Sequence, residues 1–444
     1  MVLLLAAAAT LLLFGALLPL STLRLPPGVQ RRAAVLTVLL TAWPASWTFL
    51  LGPLLFGGAA PSFYPAIWYG PAMVAGFAML VQNLNSPNAR PARAAMLIAS
   101  VSVLTLLSVV LAPKNSSDII RWGMAAILLS GALVSAERVP ARAIMVGCRV
   151  ALAWTAMSVL AAVVMNPAVI SECRADKCGI AGRVLTSPFA GNGNILGLYV
   201  AMLLPFALHR AGLFRAGVTV VGVLGVCELA GSRSALIGVA VATVGYLALA
   251  ATTSPRVRSA IIAVGLVACL AGSLVPALMV YGNEAFTFRG TLWNRAKDFV
   301  VDRPVFGSGP TAWEKFGLTS VDDANYSPHN IWLDTAVSVG LWGVAVMVAA
   351  MVLHLWRSDV DDRAAIGLYL CTLLGIGALE SLFVPYFLGI APFVAVLPLL
   401  VGGAPDAPPD PAPPPVGDPP DHDTQRPIPA ATTVAATTPG DPWT

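Results

Sequence analysis

A histidine at the start of a long apolar segment is the first candidate for chemistry in this sequence. Ser327 and Pro328 precede His329, and both residue types favour a helix start, so the pattern predicts a helix with His329 in its first turn. The positive end of a helix attracts anions and disfavours the protonated imidazole. A neutral histidine beside an anion could act as a general base. The simpler interpretation is a histidine that merely prefers the membrane interface.

Two arginines at the ends of apolar segments are candidates for binding that anion. Arg233 lies in Gly231-Ser-Arg-Ser234, between two apolar segments, and Arg289 opens a short helix directly after another. A guanidinium binds phosphate oxygens through two parallel hydrogen bonds. Two such arginines and a helix N-terminus would suit a diphosphate. The alternatives for Arg233 are an ion pair with Glu228 or a side chain that extends to the membrane surface.

The polar segment after Arg289 has the pattern of an amphipathic helix from Thr291 to Val301. Its apolar stripe consists of Leu292, Trp293, Ala296, Phe299 and Val300. Such a helix can lie on the membrane surface. Arg295 and Arg303 are weaker candidates for anion binding, and a turn-rich segment, Arg303-Pro-Val-Phe-Gly-Ser-Gly-Pro310, lets the chain fold back.

Three acids lie in or near apolar segments, namely Glu228, Asp334 and Glu380. Asp334 follows Asn330 by four residues, on the same helix face, so we expect it to orient polar groups near His329. Asn330 and Glu228 are further candidates for a supporting role, whereas no role is predicted for Glu380.

A cofactor or metal is not predicted. Asp322 and Asp323 could bind Mg²⁺ as a pair, but adjacent aspartates in a loop are usually just hydrated. The sequence contains no phosphate-binding Walker loop and no dinucleotide fingerprint.

The composition is that of a membrane protein. Charged residues make up 11% of the 444 residues, compared with about 25% in soluble domains, and the mean hydropathy is +0.79. Apolar runs near the length of a membrane-spanning helix recur along the chain. We therefore predict an all-α polytopic membrane protein of 12 or 13 spans. The predicted spans are 2–20, 33–55, 64–82, 94–112, 118–135, 143–165, 194–211, 216–230, 235–251, 259–281, 329–354, 364–380 and 382–402.

Basic residues predict which loops face the cytoplasm, because short cytoplasmic loops are rich in arginine and lysine. One set of alternate loops contains Arg24, Arg31, Arg32, Arg90, Arg93, Arg138, Arg142, Arg210, Arg215, Arg256, Arg258, Arg357 and Arg363. The opposite short loops contain Lys114, Arg121 and Arg233. Loops 166–193 and 282–328 are then extracytoplasmic. A disulfide between Cys173 and Cys178 fits the oxidising exterior, and two separate thiols are the alternative.

The last segment, 403–444, differs in composition from the membrane domain, 1–402. It contains 13 of the 36 prolines, six aspartates and one arginine. It is predicted to be a disordered, acidic, cytoplasmic tail.

Four motifs occur in order between residues 187 and 343. They are Ser187-Pro-Phe-Ala-Gly-Asn-Gly-Asn194, Gly231-Ser-Arg-Ser-Ala-Leu236, Arg289-Gly-Thr-Leu-Trp293 with Pro304-Val-Phe-Gly-Ser-Gly309, and His329-Asn-Ile-Trp332 with Gly340-Leu-Trp-Gly343. Their order and spacing resemble the O-antigen ligase and polymerase superfamily of bacterial envelope enzymes. The N-terminal 180 residues and the tail contain no such motif.

The resemblance implies a membrane-embedded, metal-independent glycosyltransferase of the GT-C type. Such an enzyme takes a glycan from a polyprenyl-diphosphate lipid, such as undecaprenyl diphosphate, on the outer face of the cytoplasmic membrane. It passes the glycan to an acceptor hydroxyl on a lipid or a growing glycan. By this resemblance Arg233 and Arg289 would bind the diphosphate, and His329 would take the acceptor's proton.

Several alternatives remain open at the level of sequence. The family ligases usually have twelve spans and a cytoplasmic N-terminus, whereas our assignment has thirteen spans and an outer N-terminus. The motifs do not distinguish a ligase from a polymerase. A transporter, or a scaffold that acts through its tail, is the non-enzymatic alternative. The expected partners are the lipid bilayer, the lipid-linked donor and the acceptor, without nucleic acid.

Overall fold

The structure is a computed structural model. It describes residues 1–58, 60–61, 63–84, 133, 139–173, 178–180, 182–187, 189, 193–286, 288–309, 312–315, 327–382 and 391–402. Several features predicted from the sequence lie outside the described residues. They are the tail 403–444, the span 94–112, the span 118–135 apart from Leu133, and the aspartates 322 and 323.

The described chain is predominantly helical, with one small hairpin. Its α-helices are α1 (Val2–Leu12), α2 (Val29–Ser46), α3 (Gly52–Phe56), α4 (Tyr64–Leu84), α5 (Ala141–Met165), α6 (Asn194–Leu208), α7 (Leu213–Leu229), α8 (Arg233–Ala250), α9 (Pro255–Leu278), α10 (Arg289–Asp302), α11 (Ile331–Trp356), α12 (Val360–Gly377) and α13 (Ala391–Leu400). Short π-helical segments, Leu13–Leu17 and Trp47–Leu51, extend α1 and join α2 to α3. Single 3₁₀ turns cover Leu20–Leu23, Pro167–Val169 and Ala312–Lys315.

The predicted spans agree with these helices wherever the structure describes them. Two of the thirteen fall outside the described residues, and each of the other eleven overlaps a described helix. Within the part of the chain that the structure describes, five segments are long and apolar enough to cross a membrane: Val29–Phe56, Ala141–Met165, Arg233–Ala250, Pro255–Leu278 and Ile331–Trp356. The chain is thus an all-α polytopic membrane protein, while the count of 12 or 13 spans and the GT-C arrangement stay predictions.

Helix α6 lies at the centre of the bundle. Every residue from Leu196 to Leu208 is buried, and α5, α7, α8 and α12 pack around it. Carbonyl oxygens at the C-terminus of α6 accept hydrogen bonds from a buried arginine. Arg149 of α5 donates to the carbonyl oxygens of Ala207 (2.8 Å) and His209 (3.2 Å). A buried charge without partners would be costly in this setting.

The break between α7 and α8 follows from one glycine. Gly231 adopts a left-handed conformation (φ 63°), which glycine reaches without a steric penalty. Its N–H donates to the carbonyl of Glu228 (3.0 Å), and that of Ser232 donates to the carbonyl of Cys227 (3.1 Å). This pattern closes a helix end and reverses the chain. The predicted interruption at 231–234 is confirmed, and α8 begins at Arg233.

Helix α11 is kinked where another segment supplies its hydrogen bonds. Gly340 interrupts it with φ 72° and ψ −176°. The carbonyls of Val337 and Ser338 accept from the N–H groups of Ser308 (2.7 Å) and Gly309 (3.1 Å), and Leu341 N–H donates to Pro304 O (2.8 Å). Irregular backbone in a membrane protein needs such partners from within the protein. The segment 304–309 therefore clamps the kink.

Substitution of Gly340 by alanine is expected to destabilise this clamp. An added Cβ would overlap the carbonyl oxygen of Val305, and the backbone conformation is accessible essentially to glycine alone, at a strain of about 1–3 kcal/mol for other residues. We expect Gly340→Ala to lower the thermal unfolding temperature of the protein in detergent. Gly272→Ala is the control, because a Cβ at Gly272 meets no atom within 4 Å. Equal unfolding temperatures for the two variants would contradict the clamp.

The amphipathic pattern after Arg289 forms a helix, α10, but its apolar face is covered by protein. Leu292, Trp293 and Ala296 are buried, in one cluster with Leu333 and Val337 of α11. The expectation that this face rests on the membrane surface is therefore corrected. The apolar stripe fits a neighbouring helix as well as it would fit lipid, and packing against α11 buries it.

The predicted loop 166–193 contains the hairpin. Strand β1 (Ile170–Glu172) pairs antiparallel with β2 (Arg183–Leu185), so that Ile170 lies opposite Leu185. The sulfur atoms of Cys173 and Cys178 are joined, with 4.9 Å between the Cα atoms. The side of the membrane on which this hairpin lies stays a prediction.

Candidate active site

A buried carboxylate, Glu380, joins three side chains from distant parts of the chain. Its Oε1 accepts from Arg289 Nη2 at 2.8 Å and from Ser234 Oγ at 3.0 Å. Its Oε2 lies 3.0 Å from His329 Nδ1. Glu380 is 6% exposed, and hydrogen bonds from several donors favour the charged form of a carboxyl group. Because a carboxylate only accepts, the proton in the contact with His329 belongs to Nδ1.

Helix ends bring these residues together. Ser234 lies in the first turn of α8, Arg289 is the first residue of α10, and His329 lies two residues before α11. Glu380 follows the end of α12. The N-terminus of a helix carries a partial positive charge and favours anions. Three helix N-termini therefore meet at one carboxylate.

The sequence predicted His329 in the first turn of α11. This prediction is wrong, because the helix begins at Ile331 and His329 precedes it. Asn330 is the N-cap, and its Oδ1 accepts from the N–H groups of Trp332 (3.1 Å) and Leu333 (3.0 Å). Asparagine is among the strongest N-cap residues, so it starts the helix in place of Ser327. His329 itself has a left-handed backbone (φ 50°), and its ring reaches Glu380 from this turn.

Asn330 also ties the start of α11 to its neighbours. Its Nδ2 donates to the carbonyl oxygens of Ser273 and Ala378, both at 3.0 Å. Ser273 belongs to α9, and Ala378 lies two residues before Glu380. The fully buried Asn330 side chain thereby links the segment of His329 to the segment of Glu380. These hydrogen bonds fix the two segments relative to each other.

Arg289 is largely occupied by the protein. Besides its ion pair with Glu380, its Nη1 donates to the carbonyl oxygen of Leu379. Its side chain is 20% exposed. A guanidinium has five N–H groups, so Arg289 can hold Glu380 in place and still offer donors to a ligand.

Arg233 is the exposed cation next to this cluster. It precedes Ser234, and it makes no hydrogen bond or ion pair with any described residue. The alternative of an ion pair with Glu228 is not realised, since the structure has no contact between the two charged groups; Glu228 Oε1 instead accepts from the N–H of Ile180 at 2.7 Å. Arg233 is therefore available to an anionic ligand.

The remaining residues predicted for the site are not joined to Glu380. Arg295 pairs with Asp298 at 3.5 Å on the exposed face of α10, and Arg303, at the end of α10, is exposed. Asp334 is buried, and its Oδ1 has no hydrogen-bond partner. The expectation that Asp334 orients polar groups is therefore not supported for that oxygen.

Glu380 is the residue whose role the sequence did not reveal. A signal was present, because an acid at the end of an apolar segment is costly unless it is paired or functional. The identity of its partners, however, could not be read from the chain. Within the described residues, no three His, Cys, Asp or Glu side chains come together as metal ligands.

Comparison with known proteins adds an independent observation. Residues 218–348 match a family model described as O-antigen ligase. The matched segment contains Arg233, Arg289 and His329, and therefore three of the four motifs recognised in the sequence. No match was found among curated proteins.

Proposed function

Because this chain belongs to the O-antigen ligase superfamily, we propose that it transfers a glycan from a polyprenyl-diphosphate carrier to an acceptor hydroxyl. Membrane glycosyltransferase activity of the ligase or polymerase type is the general activity of the family. The diphosphate donor, the hydroxyl acceptor and the outer face of the cytoplasmic membrane are specific to our proposal. The observation that carries it is the contact of His329 and Arg289 with one carboxylate, beside Arg233.

His329 is the proposed general base. With Nδ1–H donating to Glu380, the lone pair of the neutral ring lies on Nε2. The acceptor oxygen attacks the anomeric carbon of the donor glycan and forms the new glycosidic bond. Its proton passes to Nε2 of His329. The carboxylate of Glu380 stabilises the imidazolium that results, as in other histidine–carboxylate pairs.

Arg233 and Arg289 are the proposed ligands of the leaving group. The bond between the anomeric carbon and the diphosphate oxygen breaks, and the electron pair remains on the diphosphate. Two guanidinium groups against the single charge of Glu380 leave an excess of positive charge for this anion. The helix N-termini of α8 and α10 add to it. No step of this mechanism requires a metal ion, so transfer should persist in the presence of a chelator.

The first test of this proposal is the affinity for the donor. Loss of a charge-assisted hydrogen bond costs about 1.5–3 kcal/mol, and we expect Arg233→Ala to raise the KM for a polyprenyl-diphosphate glycan by about 10- to 150-fold. The KM for the acceptor should change little. Release of polyprenyl diphosphate from purified protein, at varied donor concentration and with a chelator present, measures both effects.

The matched control for Arg233 is Arg256, an exposed arginine at the opposite end of the α8–α9 pair. Arg256→Ala removes the same charge from the protein without changing the site, and it should keep the donor KM of the unmodified protein. An unchanged donor KM in Arg233→Ala would refute the role of this arginine.

Ligase and polymerase differ in the acceptor, and we propose a ligase of cell-envelope polysaccharide assembly. Analysis of glycan chain length in a deletion strain separates the two. A ligase is indicated if all polymer is lost from its membrane anchor. Single repeat units on the anchor would indicate a polymerase.

Transport of the lipid-linked glycan is the second candidate function. Transporters commonly bind substrate near the middle of the membrane, on interrupted helices, and the kink of α11 at Gly340 is such an interruption. The kink is, however, filled by the segment 304–309. Movement of donor across a liposome membrane without a covalent product would favour transport.

A further inference from the structure

A groove between α2 and α5, away from the Glu380 site, has the shape of a lipid site. Its volume is about 650 Å³. Apolar side chains line most of it, including Val35, Val38, Val146 and Val150. None of the lining residues belongs to α8, α10, α11 or α12, which surround Glu380. The groove therefore requires an explanation other than the proposed transfer reaction.

Positive charge lies at one end of this groove. Arg24 and Arg31 line it, and Arg142 Nη2 contacts the carbonyl oxygen of Arg24 at 3.4 Å. All three side chains are exposed, and none forms an ion pair with a described residue. Three arginines with no ion pair among the described residues, beside an apolar groove, are complementary to an anionic group that carries a hydrocarbon chain. Basic pockets between membrane helices bind lipid phosphates in this way.

Two tryptophans, Trp43 and Trp154, line the other end of the groove. Trp43 Nε1 donates to the carbonyl of Ile67 (3.0 Å), and Trp154 Nε1 donates to Ser46 Oγ (2.9 Å). Their polar atoms are thus satisfied, and their rings line the groove. An apolar chain can rest on these rings without burying an unpaired donor.

The length of the groove suits one leaflet of a bilayer. Along α2 it extends from Arg31 to Trp43, which is about 18 Å at the rise of an α-helix. Half of the hydrocarbon core of a membrane is about 15 Å thick. A fatty acyl chain spans that half, whereas a long polyprenyl chain exceeds it.

We propose that this groove binds an anionic glycerophospholipid. Its phosphate lies against Arg24, Arg31 and Arg142, and one acyl chain follows α2 as far as Trp43. The lipid comes from the leaflet that these arginines face, which the distribution of basic residues predicts to be the cytoplasmic one. Bound there, it covers apolar surface shared by α2 and α5 and stabilises their packing.

Native mass spectrometry of the full-length protein, extracted in a mild detergent, tests this proposal. We expect the unmodified protein to retain a phospholipid with an anionic headgroup. Arg24→Ala combined with Arg31→Ala should weaken its binding by at least about tenfold. Arg256→Ala combined with Arg357→Ala is the matched control, because both arginines are exposed and outside the groove. The control should retain the lipid.

A second variant tests the apolar part of the groove. Val35 lines it and is 51% exposed, so Val35→Trp should occupy the path of the acyl chain and displace the lipid while the arginines remain. In the unmodified protein alone, added phosphatidylglycerol should raise the unfolding temperature more than phosphatidylcholine does. The proposal would be overturned if all variants retained the lipid equally. It would also be overturned if the lipid retained at this site were zwitterionic or a polyprenyl phosphate.

Discussion

Replacement of His329 by alanine is expected to abolish glycan transfer without unfolding the protein. General base catalysis contributes about 10²- to 10⁴-fold to a rate, and no other described side chain that contacts Glu380 can take a proton near neutral pH, since its remaining partners are Arg289 and Ser234. The measurement is single-turnover transfer from a polyprenyl-diphosphate glycan to an acceptor, with the purified variant. Folding is followed by thermal unfolding in the same detergent.

His329→Asn is the informative companion to this variant. Asparagine tolerates the left-handed backbone found at this position (φ 50°). Its side-chain amide can still donate a hydrogen bond to Glu380, but it is not a base. We therefore expect a stable protein with transfer reduced as much as in His329→Ala. Transfer near the unmodified rate in His329→Asn would refute the assignment of the base.

Substitution of Glu380 by glutamine should have an effect of similar size. Glutamine is close to glutamate in shape but removes the charge that Arg289 and His329 share. It no longer stabilises an imidazolium, and its amide group can reverse the donor and acceptor roles at Nδ1. The loss of the buried carboxylate in a comparable pair reduces turnover by about 10⁴-fold. We expect kcat to fall by about 10²- to 10⁴-fold.

The role proposed for Glu380 is one of positioning, so its test needs a second measurement. A purely structural residue would lower the amount of folded protein and leave the folded fraction active. We expect the opposite for Glu380→Gln, namely an unfolding temperature close to that of the unmodified protein and a much lower kcat. Glu380→Asp, which keeps the charge, should recover part of the rate. If Glu380→Gln lowers stability alone, the carboxylate is not part of the reaction.

The clamp at Gly340 explains how the segments that carry Arg289 and His329 are held at a fixed position relative to each other. Segment 304–309 follows α10, which begins with Arg289, and its backbone hydrogen bonds fix it to α11, which follows His329. The apolar face of α10 packs on the same part of α11. The distance between Arg289 and His329 therefore depends on contacts well away from either side chain.

Local features of the sequence determined most of the described helices and two of the helix starts at the site, those at Arg233 and Arg289. Apolar runs predicted the helices wherever the structure describes the chain, and Gly231 predicted the break before Arg233. The start of a helix at Arg289 was also apparent. These features depend on hydrophobic periodicity and on hydrogen bonds between residues that are close in the chain, so their physical causes lie within a few residues of each position.

The tertiary structure alone decided which of these ends meet. Glu380 is 146 residues from Ser234, 91 from Arg289 and 51 from His329, and no local rule relates such positions. Asn330 replaced Ser327 as the cap because its side chain bonds both to its own helix and to the carbonyls of Ser273 and Ala378. Helix packing sets these contacts, and a buried carboxylate must find donors wherever packing brings them.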